Sequence, residues 1–174
     1  MKKEKCELNG VLIFTPEVYK DERGYFFESF SEKKYKLPKF VQENESCSKK
    51  GVLRGLHFQL GKYSQGKLIR VIKGKIFDVI IDLRKNSKTF GKHFSIILSD
   101  ENKKQLYIPS GFAHGFLSLE NNTIMNYKCT KYYNKKSESG IIWNDKTLNI
   151  KWYIKNPILS VKDFQNKSFK ELFN

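Results

Sequence analysis

His57 lies in the run Gly51-Val52-Leu53-Arg54-Gly55-Leu56-His57-Phe58-Gln59. An apolar run holding a guanidinium and an imidazole must give both a partner, because a lone buried charge is costly. A structural ion pair for Arg54 and a satisfied core hydrogen bond for His57 would meet that need, and so would a functional site. Strict alternation along a strand sends these two residues to opposite faces. They can serve one site only if Gly55 carries a bulge or bend. His114 lies in Ile108-Pro109-Ser110-Gly111-Phe112-Ala113-His114-Gly115-Phe116. Small neighbours leave room for close approach to its ring, though a packed core histidine fits the run equally well. His93, between Lys92 and Phe94, has no such setting and reads as a surface residue.

Other chemistries find no footing. A metal site in a small β-barrel wants clustered His and carboxylate, often His-x-His, and His57 is followed by Phe58 and Gln59. The chain has no GxGxxG, no P-loop and no GxSxG elbow. No cysteine has a histidine near it in sequence to act as its base. What remains is acid–base chemistry without metal: His57 as base, Lys67 and Arg54 as cations, Tyr127 as a phenol and Asp163 as a carboxylate. Each has a plainer alternative. Lys67 is one of many lysines, Tyr127 suits any strand, and Asp163 suits the N-cap of a terminal helix.

The elements that must position these groups are short strands. Apolar or alternating runs recur at 11–15, 25–30, 52–59, 68–72, 76–83, 94–98, 105–108, 112–119, 124–130 and 141–143, punctuated by glycines. Ten such runs predict an all-β chain, a sandwich, barrel or jelly roll. One helical turn is expected over 31–35 and a terminal helix over 162–173. There is no internal repeat and no linker rich in Gly, Pro or Ser, so residues 1–174 read as one domain. A small barrel can hold a ligand inside, among inward-facing polar residues.

Composition narrows the partners. The net charge is +15, from 33 Lys+Arg against 18 Asp+Glu. Such a balance permits a polyanion partner, but 29 of those cations are lysines spread along the whole chain. A diffuse solvated surface accounts for them better than a nucleic-acid footprint. No apolar run approaches the roughly 20 residues of a membrane-spanning helix. The basic start lacks the apolar stretch of a signal peptide. Three cysteines, Cys6, Cys47 and Cys129, cannot all pair within one chain and read as free thiols. The expectation is a cytoplasmic protein.

Ten motifs in colinear order then resemble one family. They are Asp21-Glu22-Arg23-Gly24 with Phe27-Glu28, Val41-Gln42-Glu43-Asn44, Gly51 to Gln59, Gln65-Gly66-Lys67-Leu68 and Asp78 to Arg84. Thr89 to Lys92, Ile108 to Phe116, Tyr127 to Tyr133, Ile141 to Asp145 and Ser160 to Asp163 follow. Together they resemble the dTDP-4-dehydrorhamnose 3,5-epimerase family of cupin-type jelly-roll enzymes, from about Val11 to Asp163. The resemblance implies a homodimer, no cofactor, no metal and a nucleotide-diphosphate 4-keto-6-deoxy sugar as substrate. It places the catalytic base on His57, its carboxylate partner on Asp163, the proton-donating phenol on Tyr127 and an active-site lysine on Lys67. Contacts to substrate fall on Arg23, Glu28, Gln42, Glu43, Asn44, Arg54, His114, Glu138 and Lys162, with Tyr133 stacking on the nucleobase.

The implied chemistry is consistent. A ketone at C4 acidifies C3–H and C5–H, and the enolate left by proton removal needs a fixed positive charge. Lys67 would supply it, while His57 takes the proton, Asp163 holds its tautomer and stabilises the imidazolium, and Tyr127 returns a proton from the opposite face. Departures from the family pattern, at Glu45, Lys62 and Ser64 and in a shortened 33–40 segment, touch substrate choice. The motifs leave open a GDP-linked 4-keto heptose or another capsule sugar, inversion at C3 alone, and a 3,4-ketoisomerase on the same barrel.

Overall fold

The computed structural model describes residues 1–173. Its strands are β1 (Lys2–Lys5), β2 (Leu12–Thr15), β3 (Tyr19–Asp21), β4 (Gly24–Phe26), β5 (Gln42–Ser48), β6 (Leu53–Gln59) and β7 (Lys67–Lys73). β8 (Lys75–Asp82), β9 (His93–Ser99), β10 (Gln105–Ile108), β11 (Phe112–Ser118), β12 (Thr123–Cys129) and β13 (Glu138–Gly140) follow. Three short α-helices, α1 (Glu32–Tyr35), α2 (Val161–Phe164) and α3 (Phe169–Phe173), and two 3-10 turns at Gly61–Tyr63 and Lys135–Ser137 complete the described elements. A six-stranded sheet in the order β1-β2-β10-β7-β12-β5 faces a five-stranded sheet in the order β13-β6-β11-β8-β9, and β3 and β4 form a separate hairpin. This is the all-β, cupin-like jelly roll that the strand pattern and the resemblance predict.

Period-2 alternation decides which side chains meet between the sheets. Ile69 and Val71 of β7, Ile76 and Ile80 of β8, Phe112 and Phe116 of β11, and Met125 of β12 fill that interior. Most of the alternate apolar residues point outward and are covered by chain rather than by water. Leu53, Leu56, Phe58, Phe77, Val79, Ile81 and Leu117 on the back of the five-stranded sheet pack under the C-terminal segment, against Trp152, Phe169 and Phe173. Phe14, Leu68 and Tyr107 on the back of the six-stranded sheet pack under Phe30, Tyr35 and Phe40.

The C-terminal helical segment is two short helices rather than one. Ser160 caps α2 by accepting the amide N–H of Asp163 at 3.1 Å, so Asp163 sits inside the first turn and is not the N-cap. The chain then turns at Gln165-Asn166 before α3. α1 matches the expected single turn over 31–35. The run at 25–30 pairs only as far as Phe26, in the β3–β4 hairpin.

Candidate active site

Gly55 puts Arg54 and His57 on one side of the sheet. In the pairing of β6 with β11, His57 stands opposite His114 and Arg54 opposite Phe116. Three steps along β6 therefore match two along β11, which is the irregularity that alternation demands. Gly55 takes a φ of +133°, and a Cβ there would stand 2.5 Å from the Gly115 Cα. Only glycine meets both conditions. Arg54, His57 and Gln59 thus face inward, while Leu53, Leu56 and Phe58 belong to the outer core.

Two adjoining clefts of about 290 and 280 Å³ open between the sheets. His57, Lys67 and Tyr127 line both. The first also holds Gln42, Asn44, Gln59, Gln65, Tyr133 and Glu138. The second holds Arg54, His114, Ser160, Lys162 and Asp163. The size suits a ligand of several rings, and convergent polar groups on rigid strands suit recognition.

His57 Nε2 is hydrogen-bonded to Asp163 Oδ1, carried there by α2. Asp163 is only 3% exposed. Burial alone would raise its pKa, but hydrogen bonds from His57 and from the Ser160 hydroxyl hold it below the usual carboxylate value. The carboxylate stays ionised and can support an imidazolium. With Nε2 engaged, Nδ1 is the nitrogen left to take a proton.

Lys67 opens β7, opposite Cys129 of β12. Its ammonium lies 5.7 Å from the centre of the Tyr127 ring. Enclosure pushes the Lys67 pKa down, opposed by negative charge from Asp78 and Glu138. Burial pushes the Tyr127 phenol up, so it remains a proton donor. Beneath the cleft, His114 Nε2 bonds Asp78 Oδ2 at 2.8 Å. Asp78 is wholly buried, and its Oδ1 has no hydrogen-bond partner among the described residues.

At the rim, the Tyr133 hydroxyl donates to Glu138 Oε2 at 2.7 Å, and the same carboxylate pairs with Lys162. The Tyr133 amide donates to Gln42 Oε1 at 2.8 Å. Gln59 accepts from the Asn134 amide at 2.6 Å and donates to the Tyr63 carbonyl at 2.8 Å, tying two rim loops together. Among the described residues, no three His, Cys, Asp or Glu side chains gather as a metal site would require.

The family model for dTDP-4-dehydrorhamnose 3,5-epimerase matches residues 5–171. The chain belongs to this family. A dTDP-4-dehydrorhamnose 3,5-epimerase of Shigella flexneri is 51% identical over 170 residues, 95% of this chain and 94% of that one. The crystal structure of the Elizabethkingia anophelis dTDP-4-dehydrorhamnose 3,5-epimerase superposes with a TM-score of 0.93 at 48% identity, covering 98% and 97% of the two chains. The Legionella pneumophila dTDP-6-deoxy-D-glucose-3,5-epimerase, in complex with dTDP-4-keto-L-rhamnose, gives 0.93 at 44% identity, covering 97% and 93%.

Eleven of the residues expected from the 3,5-epimerase motifs meet in the two clefts: Gln42, Asn44, Arg54, His57, Lys67, His114, Tyr127, Tyr133, Glu138, Lys162 and Asp163. The other three, Arg23, Glu28 and Glu43, line neither cleft of their own chain. Arg23 sits in the turn of the β3–β4 hairpin with its side chain 85% exposed, paired with Asp21. Glu28 pairs with Lys34 at 3.1 Å. Glu43 points out of the barrel to Lys128 at 2.7 Å, because alternation cannot turn Gln42, Glu43 and Asn44 the same way. His93 is half-buried at the start of β9, not on the surface, and lines neither cleft. Gln59, Gln65, Ser46, Phe116, Met125 and Ser160 line the clefts without having been singled out. Gln59, Gln65, Phe116 and Ser160 lay inside the matched motifs, while Ser46 and Met125 carried no signal of their own.

Proposed function

We propose that this chain inverts C3 and C5 of dTDP-4-dehydro-6-deoxyglucose to give dTDP-4-dehydrorhamnose, by proton removal and return without metal. The observation that carries the reading is the His57–Asp163 pair sharing its clefts with Lys67 and Tyr127. His57 takes the α-proton at Nδ1 and becomes an imidazolium stabilised by Asp163. The electron pair moves onto the C4 oxygen, where the Lys67 ammonium holds the developing oxyanion. Tyr127 delivers a proton to the other face of the same carbon and inverts it. Ketone re-forms at C4, His57 gives its proton to solvent and Tyr127 takes one from solvent, and the cycle repeats at the second carbon. His114 and Arg54 contact the substrate, and Arg54 and Lys162 give charge-assisted hydrogen bonds to the diphosphate. Gln42, Asn44, Glu138 and Tyr133 take the nucleoside end.

A second copy of the chain belongs to the same proposal. The β3–β4 hairpin shows Tyr19 58% and Phe26 70% exposed, and Arg23 reaches neither cleft of its own chain. In a homodimer that apolar hairpin is covered, and Arg23 and Glu28 face a partner's site. Light scattering should give twice the chain mass. Three free cysteines suit a reducing, cytoplasmic setting, and the diffuse lysines call for no nucleic acid. Among the described residues no helix is long and apolar enough to cross a membrane.

The test is proton NMR of dTDP-4-keto-6-deoxyglucose with the protein in deuterated water, beside the GDP-linked analogue. Loss of both the C3 and C5 signals on the dTDP sugar is expected. Exchange at C3 alone, or only on the GDP sugar, would overturn the substrate assignment. No exchange on either would overturn the reaction.

A further inference from the structure

Ser160 stands behind the carboxylate that holds the proposed base. Its Oγ accepts the Asp163 amide at 3.1 Å and donates to Asp163 Oδ2 at 2.8 Å. A hydroxyl has one proton. With the amide N–H already directed at Oγ, that proton goes to Asp163 Oδ2, its acceptor within the protein. The other oxygen, Oδ1, meets His57 Nε2. Each carboxylate oxygen therefore has a named and different partner. Without Ser160, the carboxylate could rotate about its Cβ–Cγ bond and present either oxygen to the ring at changing angles.

We propose that Ser160 is a positioning residue for proton transfer: its hydroxyl fixes the Asp163 carboxylate, which in turn fixes the His57 ring. The array runs Ser160–Asp163–His57, in an order that excludes the serine as nucleophile, since its proton goes to the carboxylate and not to the imidazole. It rests on the reading of His57 as the base. It also explains why a four-residue helix suffices to deliver a catalytic group. The hydroxyl that starts α2 is the one that orients the third residue of its first turn.

Cap and orientation can be separated. Glycine is tolerated at a helix N-cap at a cost of only about a few tenths of a kcal/mol relative to serine. Ser160→Gly therefore keeps α2 and removes the hydroxyl, while Ser160→Thr keeps both. Because Ser160 is exposed, water partly replaces the lost hydroxyl. The expected fall in kcat for Ser160→Gly is about tenfold, below the roughly 10²-fold of a 1 Å misplacement, with KM within about twofold. Ser160→Thr recovers most of that loss. The chain has three histidines, so nitrogen-15 spectra of labelled protein resolve the His57 tautomer directly. Wild type should show a protonated, slowly exchanging Nε2, which broadens in Ser160→Gly and returns in Ser160→Thr. Ser160→Ala repeats the measurement should the glycine variant unfold.

An unchanged kcat with an unchanged Nε2 signal would overturn the inference. So would a rise in KM alone, which would make Ser160 a substrate contact, or a failure of threonine to rescue. Wild-type protein that exchanges no substrate protons would instead overturn the reading of His57, whatever Ser160 does.

Discussion

The two faces of the five-stranded sheet come from the same strands and differ in almost everything else. The outer face carries Leu53, Leu56, Phe58, Phe77, Val79, Ile81 and Leu117 and is sealed by the C-terminal segment. The inner face carries Arg54, His57, Gln59, Asp78 and His114, interleaved with Ile76, Ile80, Phe112 and Phe116. Gln59, Asp78 and His114 are as buried as the outer face, while His57 is half-buried and Arg54 exposed where the clefts open, so the pleat decides which side chains reach the chemistry. The outer face stabilises a sheet stiff enough to hold polar groups in fixed geometry, and the inner face uses that rigidity to fix paired charges such as His57–Asp163 and His114–Asp78. The covering segment links them: it packs Trp152, Phe169 and Phe173 on the back and brings Asp163 round to His57 at the front.

The sharpest break in this division is His57→Asn. Removing the base should cost about 10³-fold in substrate proton exchange, within the 10²–10⁴ range of general-base catalysis. The unfolding midpoint should fall by a small amount, because the buried Asp163 carboxylate loses the His57 ring as its partner, while the fold is kept. A variant retaining a tenth of wild-type exchange would mean the base is elsewhere on the inner face.

Phe77→Ala tests the other face. Phe77 meets Trp152 edge-on at 5.8 Å and Tyr153 at 4.8 Å between ring centres. Emptying that position should lower stability by about 3–5 kcal/mol in chemical denaturation. The molecules still folded should keep their exchange rate. Loss of activity in step with neither stability nor fold would show that the faces are mechanically coupled more tightly than the pleat suggests.

Asp78→Asn probes charge inside the inner face. Desolvation holds the Lys67 pKa below that of a free lysine, and Asp78 opposes the shift from below. Cys129, Tyr127 and Glu138 are its other neighbours. The sign follows. As pH rises through the depressed pKa, Lys67 loses its proton and the oxyanion its support, so activity falls. The fold is relieved of a buried charge over the same window, up to about pH 10.4 where an unfolded lysine titrates, so this group adds stability as activity drops. Removing the Asp78 charge should move the alkaline limb of kcat/KM to lower pH and cost about tenfold at neutrality, less than deleting an oxyanion donor. An unmoved limb would mean that Asp78 serves only to hold His114.

The sequence showed the outer face more readily than the inner one, for a physical reason. Apolar alternation announces strands that bury a side, and the run at 105–108 coincides with β10. β5, Gln42-Glu43-Asn44-Glu45-Ser46-Cys47-Ser48, was missed because its inward row is the polar lining of a cleft, leaving no apolar period to read. β1, Lys2-Lys3-Glu4-Lys5, was missed because an edge strand is charged by necessity. The break at Gly55 was legible, since two inward polar residues three apart require it. The partners of Asp163 were not, because the fold brings His57 to it across 106 residues. Motif resemblance supplied that pair, and alternation along β5 separates Glu43, on the outer side, from Gln42 and Asn44 in the cleft.

The smallest expected effect lies at the rim, which belongs to neither face. Tyr133 is half-exposed, and its hydroxyl bonds Glu138, which also pairs with Lys162. Tyr133→Phe removes one exposed hydrogen bond, worth about 0.5 kcal/mol, so KM should rise roughly twofold with kcat unchanged. Tyr133→Ala also removes the ring. If that ring stacks on the nucleobase, about 1–3 kcal/mol goes with it, and KM should rise at least about fivefold. Equal effects from the two variants would locate the contribution in the hydroxyl network and leave the base without its platform. A fall in kcat in either would show that the rim holds the inner face in register, and the boundary between binding and chemistry would have to be redrawn through Glu138.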